Sequence, residues 1–293
     1  MDQNERIQAV SNFLLQSPPG EINDVLNDVR NIIADDDALQ DGILPSLREY
    51  NIQQFTTVSV PGTEHQSIIS EAARVPDIDT DEGRFLDPRS KTSFVFDHLT
   101  LEASDSQPYE IDEQHEPLRE ALQNASLTYL TGHFHDGTVS IFAPAGPSEE
   151  FIMQVVANKY NPTNFWSGRW RSEYAIDLAE KKVKGRILVN VHYYEQGNVQ
   201  LETKHNISFN IPPTVASAVP ATAATKILAL IAEEEGKYQV SLNETYTEMS
   251  EKTFKGLRRA LPLTRQKLDW DKVTGYKLGA ELSSSKGLFG GSS

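Results

Sequence analysis

Apolar residues at Ile227, Ile231, Tyr238, Leu242, Tyr246, Met249, Leu257 and Leu261 recur at helical spacing with no proline among them, and that run constrains the fold more than any other feature. It predicts one long helix ending before Pro262, whose missing amide and ring clash stop propagation. The stripe needs a long surface to lie on. Upstream the apolar period falls to two, making residues 139–142, 151–157, 172–178, 186–194 and 199–209 five strand candidates. Their connections are rich in turn residues, as in Glu195-Gln196-Gly197-Asn198, so consecutive strands should pair antiparallel and give the helix its sheet.

The N-terminal part reads as helical. Ile7, Val10 and Leu14 share a face until Ser17-Pro18-Pro19-Gly20 forces a hairpin, and Ile22, Val25, Leu26, Val29, Ile32 and Ile33 trace a second amphipathic helix. Asp35-Asp36-Asp37 can cap a third helix carrying Leu39, Leu44 and Leu47, because carboxylates accept the free amide protons of a first turn and suit its dipole. From Phe55 short strands follow, through Val58, Val60, Ile68-Ile69 and Phe94 to Phe96. A helix carrying Leu118, Leu122, Ala125, Tyr129 and Phe134 then reaches Asp136-Gly137, where the glycine can take the left-handed closing conformation. The fold class is therefore α+β: N-terminal antiparallel helices, short strands, a five-stranded antiparallel sheet under a long helix, then an amphipathic arm.

A formal charge of −15, from 27 basic and 42 acidic residues, disfavours nucleic acid and anionic membrane surfaces as partners. The absence of cysteine removes disulfides, thiolate metal sites and a Cys nucleophile. No apolar run approaches the roughly 18 residues that span a bilayer, and the Met1-Asp2-Gln3-Asn4-Glu5 start has no signal-peptide character. The expectation is a soluble intracellular protein that does not span a membrane.

Charge inverts near the C-terminus. Between Lys252 and Lys277 eight cations, Lys252, Lys255, Arg258, Arg259, Arg265, Lys267, Lys272 and Lys277, stand against Asp269 and Asp271, so this segment carries +6 and the rest of the chain −21. Leu257, Leu261, Leu263, Leu268, Trp270, Val273, Tyr276 and Leu278 interleave with them, a basic stripe beside an apolar one in a segment too short to bury itself. Solvating tails rarely carry large aromatics, which concentrate at interfaces, so the segment reads as a docking arm.

Other constellations point to structure. Asn164-Phe165-Trp166-Ser167-Gly168-Arg169-Trp170-Arg171-Ser172 should pack a strand junction, with Arg169 and Arg171 in ion pairs. Asp77-Ile78-Asp79-Thr80-Asp81-Glu82-Gly83 approximates a calcium loop, but its glycine falls one position late and Pro88 stands where the bidentate Glu belongs. His133-Phe134-His135 suits the end of a helix better than a metal, and His192 suits a sheet position with a satisfied hydrogen bond. No serine elbow, phosphate loop or dinucleotide fingerprint occurs, which disfavours a hydrolase or transferase.

Ordered blocks across residues 7–282 resemble the F-actin capping protein alpha subunit family. They include Pro18-Pro19-Gly20-Glu21 with Asn27-Asp28-Val29-Arg30, Tyr50-Asn51 with Gln54-Phe55-Thr56, and Arg84-Phe85-Leu86-Asp87-Pro88-Arg89. Phe96-Asp97-His98-Leu99, Glu102-Ala103-Ser104-Asp105, the segment 164–172 and Val191-His192-Tyr193-Tyr194-Glu195-Gln196-Gly197-Asn198-Val199-Gln200-Leu201 belong to the same pattern. Leu257-Arg258-Arg259-Ala260-Leu261-Pro262 and Lys267-Leu268-Asp269-Trp270 complete it.

The resemblance implies a non-enzymatic, cofactor-free subunit of an obligate heterodimer with a beta subunit of similar fold, the two sheets joining into one. It implies calcium-independent binding to the barbed end of the actin filament, blocking subunit addition and loss, in the cytoplasm at cortical actin structures. An alternative is capping of an actin-related-protein filament within a larger assembly. Family basic positions match Lys255, Arg259 and Arg265, and Trp270 matches as well. Arg258, Lys267, Leu268, Lys272 and Tyr276 complete the expected actin-binding set, and phosphoinositides or proteins are expected regulators. The expected divisions are a helical layer (1–50), a short-strand region (51–112), helix plus five-stranded sheet (113–213), long helix (214–261), actin-binding arm (262–282) and flexible tail (283–293).

Overall fold

The computed structural model describes residues 3–33, 36–75, 83–144, 149–195 and 197–254. The chain divides at Tyr238 into a body and a C-terminal unit that begins at Gln239.

Three helices open the body, α1 (Gln3–Leu15), α2 (Ile22–Ile33) and α3 (Asp36–Gln53). Val10, Leu14, Leu26, Val29, Ile43 and Leu47 cluster between them, with Ile43 buried where the spacing had pointed to Leu44. The prolines end α1, and Gly20 turns the chain at φ 84°, a state open to glycine without strain. The third helix passes through Pro45 and gives way to Phe55 at φ 53°, an unusual conformation for a bulky residue. Burial of the Phe55 ring against Ile68 and Val156 holds it there.

Strands β1 (Thr57–Ser59) and β2 (Gln66–Ile68) pair with each other, while β3 (Arg84–Asp87), β4 (Thr92–Phe96) and β5 (Ala103–Pro108) form a second small antiparallel sheet. Phe85, Phe94 and Phe96 pack with Val58, Val60, Ile69 and Phe142 into another core cluster. After α4 (Glu116–His133) come β6 (Gly137–Phe142), β7 (Glu150–Asn161), β8 (Trp166–Asp177), β9 (Lys182–Tyr193) and β10 (Val199–Asn210). Their order is β10-β9-β8-β7-β6, the predicted meander, with β10 paired on one side only among the described residues. A short α5 (Pro213–Ala216) precedes α6 (Pro220–Glu248), whose first turn carries proline where its absent amide does no harm.

Alternation along β8 sends its side chains to two different layers. Ser167, Arg169 and Arg171 meet Glu21, Gln54 and Gln53 of the N-terminal helical layer. Trp170, Ser172 and Tyr174 meet Tyr238 and Glu235 of α6 on the opposite face.

Three expectations change. Strand β8 starts at Trp166 and not at residue 172, so most of the aromatic and arginine segment is strand. Gly137 opens β6, and α4 closes instead through Phe134 in an extended conformation at φ −129°. The long helix widens into a π-helical turn over Met249–Phe254, and the expected continuation at residues 255–261 lies outside the described residues. Asp77 through Glu82 of the calcium-like loop also lie outside them.

Candidate functional site

The two segments that carried most of the resemblance, twenty residues apart in the chain, meet where β8 runs beside the end of β9. Trp166 faces Tyr193, Ser167 faces His192, Arg169 faces Asn190 and Arg171 faces Leu188. Their function in this chain is to clamp the N-terminal helices onto the sheet. Arg171 donates from Nη1 to the Gln53 carbonyl and from Nη2 to Asn190 Oδ1. Arg169 donates to the Gln54 carbonyl at 3.3 Å, to Asn158 Oδ1 at 2.7 Å and to the Tyr160 hydroxyl at 2.7 Å.

The expected ion pairs of Arg169 and Arg171 are not what forms among the described residues, where every acceptor these two guanidinium groups reach is neutral. The α3 C-terminus supplies the compensation, since its last carbonyls carry the negative end of the helix dipole. Burial, with Arg169 alongside, pulls the Arg171 pKa down to about 10.

A second clamp lies beside the first. Glu21, next to the Pro-Pro-Gly turn, accepts from His192 Nδ1 at 2.7 Å and from Ser167 Oγ at 3.2 Å. The Tyr50 hydroxyl reaches the carbonyls of Ser17 and Pro18 at 3.4 Å. A Cβ on Gly20 would meet the Tyr160 ring at 3.0 Å, so the turn is fitted to the sheet as closely as glycine permits. His192 is thus a hydrogen-bonded sheet histidine, as expected. Next to these clamps a polar cavity of about 790 Å³ is lined by Arg171, Glu173, Arg186, Asn190, His192 and Glu202, among others. Acidic and basic side chains line it together.

The opposite face holds a feature the sequence did not disclose. Glu235 is 1% exposed and accepts hydrogen bonds from the Tyr129 and Tyr174 hydroxyls. Burial raises its pKa, and burial together with the adjacent carboxylate raises both tyrosines. A signal existed, since Glu235 follows Ile231 by four residues and so occupies a core position of the helical stripe. His133 Nδ1 donates to the Tyr129 carbonyl, 2.8 Å away in the last turn of α4, in keeping with a place at the helix end, while His135 is exposed beside Asp136. No group of ligands fit for a metal occurs among the described residues.

In the C-terminal unit Val240 is 58% and Tyr246 44% exposed, and Lys252 pairs with Glu248 at 2.8 Å. Lys252 is the one cation of the basic segment among the described residues. Lys255, Arg258, Arg259, Arg265, Lys267, Leu268, Trp270, Lys272 and Tyr276 all lie outside them. No described helix is long and apolar enough to cross a membrane.

Comparison with known proteins gives this architecture a family. The family model of the F-actin capping protein alpha subunit matches residues 10–281. The F-actin-capping protein subunit alpha of Neurospora crassa is 38% identical over 275 residues, covering 94% of this chain and 96% of that protein. Its counterpart in Caenorhabditis elegans is 38% identical over 287 residues, covering 95% and 97%. A solved structure, titled as the homodimeric actin capping protein alpha subunit from Plasmodium berghei, superposes with a TM-score of 0.69 at 19% identity, over 90% of this chain and 99% of that one. That likeness speaks for the fold, and the sequence relatives speak for descent. The meander, the clamps built by its signature strands and the long helix above it are therefore the frame of a member of the F-actin capping protein alpha subunit family.

Proposed function

We propose that this chain is one subunit of a dimeric, calcium-independent cap that binds the barbed end of the actin filament and blocks both gain and loss of subunits. The family match over residues 10–281 carries this reading, since it takes in the basic, aromatic segment as well as the fold. Nothing needs to be hydrolysed. A cap works by occupying the surface on which the next subunit would sit.

The dimer follows from the sheet. Strand β10 pairs with β9 along one side, and a partner of similar fold supplies a second sheet to extend it. We take that partner to be a capping protein beta subunit. Lys255, Arg258, Arg259, Arg265, Lys267 and Lys272 steer and orient the dimer on acidic actin surfaces. Leu268, Trp270 and Tyr276 bury apolar surface and slow release. Anionic phosphoinositide headgroups would compete for the same cations. The place of action is the actin cytoskeleton.

The test is a seeded pyrene-actin elongation assay with the chain co-expressed with a beta subunit. Barbed-end growth and depolymerisation should both stop at substoichiometric cap. Unimpeded growth refutes the proposal, and a block obtained with the chain alone refutes the heterodimer in favour of a second copy.

A further inference from the structure

The long helix buries Ala223, Ala224, Ile227, Leu228 and Ile231 along one stripe. Apolar contact of this kind is non-directional and tolerates sliding or rotation of a helix that has other apolar residues to offer. One turn beyond Ile231 the stripe is interrupted by Glu235. Its carboxylate accepts from Tyr129 on α4 and Tyr174 on β8, with Ser172 Oγ at 3.5 Å. The base that bears on it electrostatically is His133, whose ring stacks on Tyr129 at 4.4 Å between centroids. Tyr238, nearly one turn further, bonds Thr203 at 2.6 Å and stacks on His205 of β10 at 4.3 Å.

We infer that Glu235 is a register lock, a positioning residue through which Tyr129 and Tyr174 fix where the long helix sits along the sheet, and that filament capping depends on that register. A buried carboxylate answered by hydroxyls alone is a poor choice for stability, and an apolar side chain of similar volume would serve that purpose better. Fixing register is the best-attested use of such a group. Sliding the helix by one turn towards its C-terminal end would set Ile231 against the two tyrosine hydroxyls and leave buried donors unmet. Rotating it by one residue, about 100°, would turn the carboxylate away from both. The basic segment follows this same helix in the chain, so an uncertain register becomes an uncertain starting point for it.

The capping half of this inference rests on the proposed function; the register half does not. The chain has no cysteine, so spin labels at exposed Lys184→Cys and Lys226→Cys, in the complex with a cysteine-free partner, report one distance across sheet and helix. Glu235→Leu should keep or raise Tm yet broaden that distance or add a maximum about 5 Å away, one helical turn. Its release from filament ends should quicken roughly tenfold, since lost complementarity acts mainly on dissociation. Glu235→Gln keeps an acceptor and should preserve the single distance and slow release. If Glu235→Leu fails to fold, Tyr129→Phe with Tyr174→Phe removes the donors instead, with the same expectation. A single narrow distance in the Leu or the double Phe variant overturns the lock. A broadened distance with unchanged release overturns the link to capping. A wild-type complex that caps nothing overturns the proposed function and leaves the distances to judge the lock.

Discussion

Arg171 on β8 ends its side chain on the main-chain carbonyl of Gln53, the last residue of α3, so a sheet residue closes a helix more than a hundred positions upstream. Arg169 does the same one carbonyl later, at Gln54. Two neighbouring buried cations are tolerable here because a helix C-terminus faces them both. Arg171→Ala should lower unfolding stability by about 2–4 kcal/mol, since charged hydrogen bonds are lost and buried carbonyls are left unmet. Arg171→Lys should restore less than half, because an ammonium cannot span the Gln53 carbonyl and Asn190 as the planar fork does. Urea midpoints of the three proteins decide it, and equal midpoints would remove the capping role.

Gly20 and Gly62 share a left-handed backbone, at φ 84° and 87°, but differ in surroundings. A Cβ at Gly62 meets nothing within 4 Å, while one at Gly20 meets the Tyr160 ring at 3.0 Å. Gly62→Ala should therefore report backbone strain alone, about 1 kcal/mol, and Gly20→Ala that strain plus the displacement of Tyr160, about 2 kcal/mol or more. Thermal unfolding of both variants measures the difference. Equal losses would mean that the turn is not seated on Tyr160.

Much of this frame was legible in the sequence because it rests on period. The apolar spacing of Ile7, Val10 and Leu14, or of Ile227 and Ile231, leaves a helix one way to bury its face, and each of these falls where the stripe predicts. Contacts that cross between layers leave no such trace. Ser167-Gly168-Arg169 breaks apolar alternation, so the first half of β8 looked like a junction although hydrogen bonding carries the strand through it. Glutamate at 235 stands in the apolar stripe of its helix, but the stripe does not tell that two tyrosines from elsewhere converge on it. Chemistry in a partner's layer is invisible along one strand or helix.

His98 gives the body an acid limit. Burial, with Arg48 also opposing a second positive charge, pulls its pKa down from 6.5 to about 4, against an opposing pull from Asp97. Its ring lies edge-on to Phe96 at 4.9 Å and Phe85 at 5.9 Å, and its neighbour in hydrogen bonding is Asn51. The unfolded chain binds a proton near pH 6.5 that the folded chain refuses until about 4, so stability should fall by about 3 kcal/mol as pH drops through that window. Glu235 has the opposite sign: its raised pKa means stability is lost as pH rises from 4.5 through the folded value. His98→Phe should flatten the acid slope between pH 6.5 and 4 while leaving the alkaline slope, and urea titrations across pH would reveal a mistaken assignment if both slopes stayed.

Association and release should separate in the basic segment. Steering by charge acts across the solvent gap before contact, whereas apolar burial exists only after it. Arg259→Ala with Arg265→Ala should therefore lower the association rate with barbed ends by about tenfold at low salt and flatten its dependence on ionic strength, with release quickened by less. Trp270→Ala should do the reverse, quickening release while association stays within about twofold. Ending the chain after Pro262 removes Arg265, Trp270 and their neighbours together and should weaken capping severely, yet leave the dimer whole, because β10 and α6 lie upstream. Elongation kinetics at two salt concentrations, with size-exclusion chromatography of the shortened complex, test all three. An association rate that ignores the arginine pair would transfer the steering to another surface, and a shortened chain that falls out of solution would make the segment part of the fold.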